Sequence, residues 1–156
     1  MTNVDKYKLD YALYLASIIH KLDRRKNNGE CYYLHIERVV NILKKYTDDE
    51  DILCAAACHD LVEDHPDKMS LYKIKELFNE RVSQLVDDLT NKYTKGVYPE
   101  LNREDRKHLE NIRLGTVCDD SKLIKAADRL DNIQSYVRDQ VTIPNYVLIE
   151  TVQLIS

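Results

Sequence analysis

The chain has 156 residues, 32% of them charged, with 3 glycines, 3 prolines, no tryptophan and a net charge of −4. That length suits a single domain over residues 1–156 with one ordinary core. The scarcity of Gly and Pro excludes sandwiches, small barrels and Gly-rich phosphate loops. An acidic chain is a poor bulk binder of nucleic acid, because backbone affinity comes from Lys and Arg. A small polyphosphate remains a possible ligand if basic residues cluster locally. The longest stretches free of Asp, Glu, Lys and Arg are ten residues, such as Tyr11 to His20, and a membrane span needs about 18 or more apolar residues. The N-terminal residues lack the apolar core of a signal peptide. The expectation is a cytoplasmic protein with no membrane or nucleic-acid partner; nothing in the pattern bears on its oligomeric state. Four cysteines, at 31, 54, 58 and 118, read as free thiols in such a chain. Cys54 and Cys58 would share a helix face, as a zinc pair or, more simply, as small buried residues.

Apolar positions recur at spacings of three and four throughout, the helical signature. The first helix spans about Asp5 to Arg25, with Leu9, Ala12, Leu13, Ala16, Ile19 and Leu22 on one side. Asn27-Asn28-Gly29 breaks it, since Asn and Gly tolerate left-handed backbone. A second helix covers about Tyr32 to Tyr46, with Ile36, Val39, Val40 and Leu43 inward. Thr47-Asp48-Asp49 caps a third, about Glu50 to Asp64, which His65-Pro66-Asp67 ends. Ser70 caps a fourth that turns Leu71, Ile74, Leu77 and Phe78 inward and continues through Val82, Leu85, Val86 and Leu89 to about Thr90. Residues 91–101 read as loop. Asn102 caps a helix through about Thr116, another spans about Ser121 to Val137, and Pro144 fits the first turn of a last helix carrying Tyr146, Ile149 and Leu154. The predicted fold is all-α, a bundle of six to eight helices.

The third helix changes character at its end. After Cys54-Ala55-Ala56-Ala57-Cys58, polar residues fall at His59, Asp60, Glu63 and Asp64. On a continuous helix 59 stacks on 63 and 60 on 64, so all four share one face. Two readings stand for this segment alone. One is a solvated helix end, although carboxylates there oppose the macrodipole. The other is a divalent cation, since imidazole and carboxylate together suit Mn, Fe or Zn. His35 lies in an otherwise apolar turn and reads as structural or as a ligand. Asp128 sits mid-helix in Lys125-Ala126-Ala127-Asp128-Arg129-Leu130, where a carboxylate is rarely buried without a partner; Arg129 could supply one. Asn132 is one turn further on, on the same face.

The order His35, then His59-Asp60, then Asp128 resembles the HD phosphohydrolase superfamily. The flanks Tyr32-Tyr33-Leu34-His35, Cys58-His59-Asp60-Leu61-Val62-Glu63-Asp64 and Lys125 to Asn132 resemble the hydrolase domain of RelA/SpoT proteins, over about His20 to Tyr136, and in particular its small standalone alarmone hydrolases. The resemblance implies an enzyme, a Mn²⁺-dependent guanosine-3′,5′-bis(diphosphate) 3′-pyrophosphohydrolase that releases pyrophosphate and leaves GDP or GTP. It implies one Mn²⁺ on His35, His59, Asp60 and Asp128, with Glu63 and Asp64 orienting and deprotonating the attacking water. Arg25 and Lys26, or Arg24 and Arg25 with a one-residue slip, would pack against the base. Asn132 would contact the ribose side and Arg103 a phosphate. Another nucleotide substrate (ppApp, NADPH or a deoxynucleotide) and a catalytically idle nucleotide- or partner-binding module are the alternatives.

The chain departs from the family pattern at Cys31, usually Pro, at His65, usually Thr, and at Asp131, usually His or Tyr. Asp131 is expected to add negative charge beside the substrate contact, unless its helix turns it away.

Overall fold

A computed structural model of the chain describes residues 7–140 and 142–145. Among these the regular elements are all helical: α1 (Lys8–Ile19), α2 (Tyr32–Leu43), α3 (Glu50–Cys58), α4 (Leu61–Asp64), α5 (Leu71–Leu77), α6 (Glu80–Leu89), α7 (Arg103–Leu114) and α8 (Asp119–Arg138). The all-α expectation holds. No helix among the described residues is long and apolar enough to cross a membrane. The expected last helix, with Tyr146, Ile149 and Leu154, lies outside the described residues.

The core is organised around α3. Ile52 to Cys58 are buried without interruption, as expected for a helix that is apolar on every side. Its Ala55-Ala56-Ala57 run lets α1, α2, α6 and α8 approach it closely. Enlarging one of these alanines would overpack the centre, at about 1–3 kcal/mol. Cys54 and Cys58 are free and buried, and burial pushes both thiols up. They stand as small core residues.

The expected caps form. Asp49 accepts from Asp51 N, Ser70 from Lys73 N and Asn102 from Asp105 N, each satisfying a helix-end donor. Three boundaries differ from expectation. The first helix stops at Ile19, and Leu22, expected inward, is 86% exposed. The chain then folds into a turn rather than continuing: Arg24 and Cys31 form an isolated antiparallel bridge, and Gly29 takes the left-handed conformation (φ 72°). The helix expected across residues 70–90 is two. Phe78 leaves helical geometry and Asn79 recaps the chain by accepting from Val82 N, so Leu77 is exposed rather than buried. The third break falls inside the HD segment. α3 ends at Cys58, and His59 and Asp60 form a turn before the single turn of α4. The four polar residues therefore do not lie on one uninterrupted helix face.

Candidate functional site

The interruption at His59-Asp60 lets two adjacent side chains converge on one point, which a regular helix would splay about 100° apart. His35 enters from the first turn of α2 and Asp128 from the middle of α8. One ligand atom from each of His35, His59, Asp60 and Asp128 lies within 4.8 Å of all the others. These four sequence-predicted residues are thus brought together. Arg129, the alternative partner for Asp128, reaches it only at 3.9 Å, whereas His35 Nε2 lies 2.8 Å from Asp128 Oδ1.

The donor set fits a divalent cation. His59 Nδ1 donates to Ala56 O at 2.6 Å, which turns Nε2 toward Asp60 Oδ2 at 3.1 Å and Asp128 Oδ1 at 3.4 Å. That Nε2 is buried and makes no well-directed hydrogen bond. His35 Nδ1 is 2.7 Å from Asp131 Oδ2, leaving Nε2 to face Asp128. Neutral imidazoles in these poses aim lone pairs at carboxylate oxygens, which is repulsive unless a proton or a cation lies between them. Burial alone would lower both imidazoles; the aspartates around them reverse this and raise both. Asp128 is held well below the usual carboxylate range: burial would raise it, but Lys125, His35 and His59 outweigh that. Two nitrogens and two carboxylate oxygens suit a borderline-to-hard transition cation.

Glu63 and Asp64, on α4, line a cavity of about 670 Å³ together with His35, Asp60 and Asp128. Burial first, then the charge of Asp60, raises Glu63 to about 7 and Asp64 to about 6. Tyr32 donates its hydroxyl to Asp60 Oδ2; burial and that carboxylate raise its pKa, so it stays a donor. Residue identity gave little warning of this role, because tyrosine at a helix start is commonplace.

The same cavity is lined by Arg24, Arg25 and Lys26 on one side and by Lys107, Lys125 and Arg129 on another. Arg25 is buried, donating to Asn132 Oδ1 at 2.7 Å and lying 3.3 Å from Asp131 Oδ2. Asn132 also lines this cavity. Arg103 lines a second cavity of about 270 Å³, which shares Asn91, Lys107, Lys125 and Arg129 with the first. Lys125 was legible as a neighbour of Asp128 through its i−3 spacing; its Nζ is 3.7 Å from Asp128 Oδ2.

Asp131 is the main correction. It is 2% exposed and is neither a loose charge beside the substrate nor turned away from the site. Arg38 Nε donates to it at 2.7 Å, and Arg25 and His35 complete its shell. Its charge is matched, and it fixes which nitrogen of His35 faces the cluster, as a carboxylate behind a metal-binding histidine does.

Comparison with known proteins agrees with this geometry. Residues 12–148 match the HD domain family. The chain belongs to that family of metal-dependent phosphohydrolases. It is 32% identical over 137 residues, 86% of this chain and 72% of the relative, to the guanosine-3′,5′-bis(diphosphate) 3′-pyrophosphohydrolase MESH1 of Drosophila melanogaster. It is 32% identical over 114 residues to the guanosine-3′,5′-bis(diphosphate) 3′-pyrophosphohydrolase of Aquifex aeolicus, of which it spans 16%. A solved structure of a metazoan ortholog of SpoT, described as hydrolysing ppGpp and acting in starvation responses, aligns with TM-score 0.78 and 27% identity over 94% of this chain and 85% of that one.

Proposed function

We propose that this chain is a Mn²⁺-dependent hydrolase of guanosine 3′,5′-bis(diphosphate) and its pentaphosphate analogue, removing the 3′ pyrophosphate. The observation that carries the reading is the convergence of His35, His59, Asp60 and Asp128 within 4.8 Å on the floor of a cavity walled by cations. MESH1, a relative covered over most of its length, bears the name of that activity.

His35, His59, Asp60 and Asp128 would hold the cation. When bound, it supplies Lewis-acid polarisation of the phosphate and acidifies water. Glu63 takes a proton from the attacking water, and Asp64 orients it; burial raises Glu63 toward the range in which a general base works at neutral pH. The water oxygen bonds to the phosphorus next to O3′, the P–O3′ bond breaks, and O3′ leaves with a proton. The products are pyrophosphate and GDP or GTP. Arg25 and Lys26 hold the base and ribose side, with Asn132 oriented by Arg25. Lys107, Lys125, Arg129 and, at the outer end, Arg103 face the phosphates. This local basicity supports binding of a polyanion by a chain of net charge −4. A volume of about 670 Å³ suits a nucleotide-sized ligand. A nucleotide substrate is compatible with action in the cytoplasm.

The test is a panel of ppGpp, pppGpp, ppApp and NADPH, each incubated with Mn²⁺, products separated by ion exchange. Pyrophosphate and GDP from ppGpp are expected. Cleavage of another member with ppGpp untouched would replace the substrate. No cleavage at all would leave a binding module.

A further inference from the structure

We propose that His20, Asp23 and His65 form a second site for a divalent transition-metal cation of the zinc or manganese type, in the wall of the same cavity. The three come from fixed positions. His20 closes α1, its N–H bonded to Ala16 O. Asp23 N then bonds to His20 O at 2.9 Å, a turn that brings residues three apart to one side. His65 closes α4 through Leu61 O. Two imidazole nitrogens meet on one carboxylate oxygen: His20 Nδ1 lies 2.7 Å and His65 Nε2 2.6 Å from Asp23 Oδ2. One ligand atom from each lies within 4.8 Å of the other two.

The chemistry of the three is that of a metal-binding set. Two imidazoles and a carboxylate, with further positions open, is the donor set of three-ligand zinc sites and of open non-haem iron sites. The openness is present here, because Asp23 and His65 line the cavity. His20 is fully buried and its Nε2 has no hydrogen-bond partner, so Asp23 is the polar contact its ring makes. Burial pushes this imidazole down, which favours its neutral form; binding a cation through Nδ1 then moves the ring's one proton to Nε2. Asp23 is held ionised, the hydrogen bonds from His65 and His20 outweighing its partial burial. His65 is also a position at which the chain departs from the family pattern. The Tyr32 ring separates this cluster from the first, 5.0 Å from the His20 ring and 5.4 Å from that of His35. A cation here adds positive charge beside the nucleotide cavity. The inference does not depend on which nucleotide is hydrolysed.

Metal-free full-length chain is titrated with Zn²⁺ against a chromophoric chelator, and the same is done for three single variants and one double variant. Wild type is expected to bind two equivalents, and Asp60→Asn, Asp23→Asn and His65→Thr one each. Combining Asp60→Asn with His65→Thr should abolish binding. A hydrogen-bonded triad only is the result if wild type binds one equivalent that Asp60→Asn removes and His65→Thr keeps; that overturns the proposal. One equivalent that survives Asp60→Asn and is lost in His65→Thr upholds it while removing the metal from the first cluster. Absence of binding in every protein overturns both. In wild type itself the second equivalent should shift the imidazole resonances of His20 and His65. Resonances unmoved at saturation overturn the site without recourse to any variant.

Discussion

His35, His59, Asp60 and Asp128 stand on α2, the α3–α4 turn and α8, elements that pack directly on one another around the alanine run of α3. Arg103, Arg106 and Lys107 stand on α7, which is attached differently. Its buried residues are Glu110, Asn111 and Leu114, two of them polar. Glu110 accepts from Lys92 N and from Tyr93 N, and pairs with Arg113 Nε at 2.9 Å. Arg113 in turn donates to Asp88 O and Thr90 O. The proposed metal floor is held by apolar burial, whereas the proposed phosphate wall is held by a polar strap to residues 88–93. Few buried apolar contacts mark the part of a protein that opens at low cost. The contrast teaches that the candidate cation ligands rest on the most apolar part of the fold and the basic residues of α7 on one of its most polar attachments.

The largest expected effect falls on the floor. Asp60→Asn should lose the metal and activity together, checked by elemental analysis and turnover on one preparation; full activity without bound metal would break the contrast at its root. Glu63→Gln should keep the metal yet lose about 10²–10⁴-fold in turnover, the usual range for a general base. Glu63 and Asp64 act as ionised groups in this reading, so kcat/KM of wild type should fall as pH drops, at values below the about 7 and about 6 of the metal-free site, because a bound cation offsets the Asp60 charge that helps to raise them. The same raised values carry a cost in stability. A carboxyl with a folded pKa above its unfolded value binds more protons folded than unfolded, so its contribution to stability falls as pH rises from about 4.5 to 7. Metal-free Glu63→Gln should therefore be more stable than wild type at pH 8, by an amount of order 1 kcal/mol, and the gain should vanish near pH 4.

Asp131→Asn probes the layer behind the floor. It leaves His35 without its anionic partner and should weaken metal affinity about 10–100-fold, measurable by chelator competition. The strap of α7 comes next. Glu110→Gln should raise KM several-fold with metal affinity unchanged; a change in metal affinity instead would show that floor and wall are one unit. The smallest effect is expected for Arg103→Ala at the outer end, a fall in turnover of less than tenfold. In wild type, raising salt from low to physiological should increase KM several-fold, because exposed cations are screened.

Much of this was legible in the sequence, for reasons that mark the limit. Ser70, Asp49 and Asn102 announced helix starts because a cap is a contact across two or three residues. The four candidate ligands were legible through the resemblance to the HD pattern, since the residues alone left a solvated helix end and a structural histidine open beside a cation. The breaks at 59–60 and 78–79 were hidden because apolar periodicity runs straight through them; Asn79 was the signal available for the second. Asp131 was misjudged because its neutralisation depends on Arg25 and Arg38, 106 and 93 residues away, and local pattern carries no information at that range.

Those distances have a kinetic meaning. Arg25 to Asn132 and His35 to Asp128 close loops of 107 and 93 residues, longer than those closed where α1 and α6 pack on α3. Contacts so far apart reward the chain only after most of its entropy of closure has been spent. An emerging chain therefore has no complete set of these candidate ligands until α8 has joined α2. Capture of a cation would then act as a latch on the docked α8, and a refolding chain should acquire tight metal binding only once α8 has joined α2.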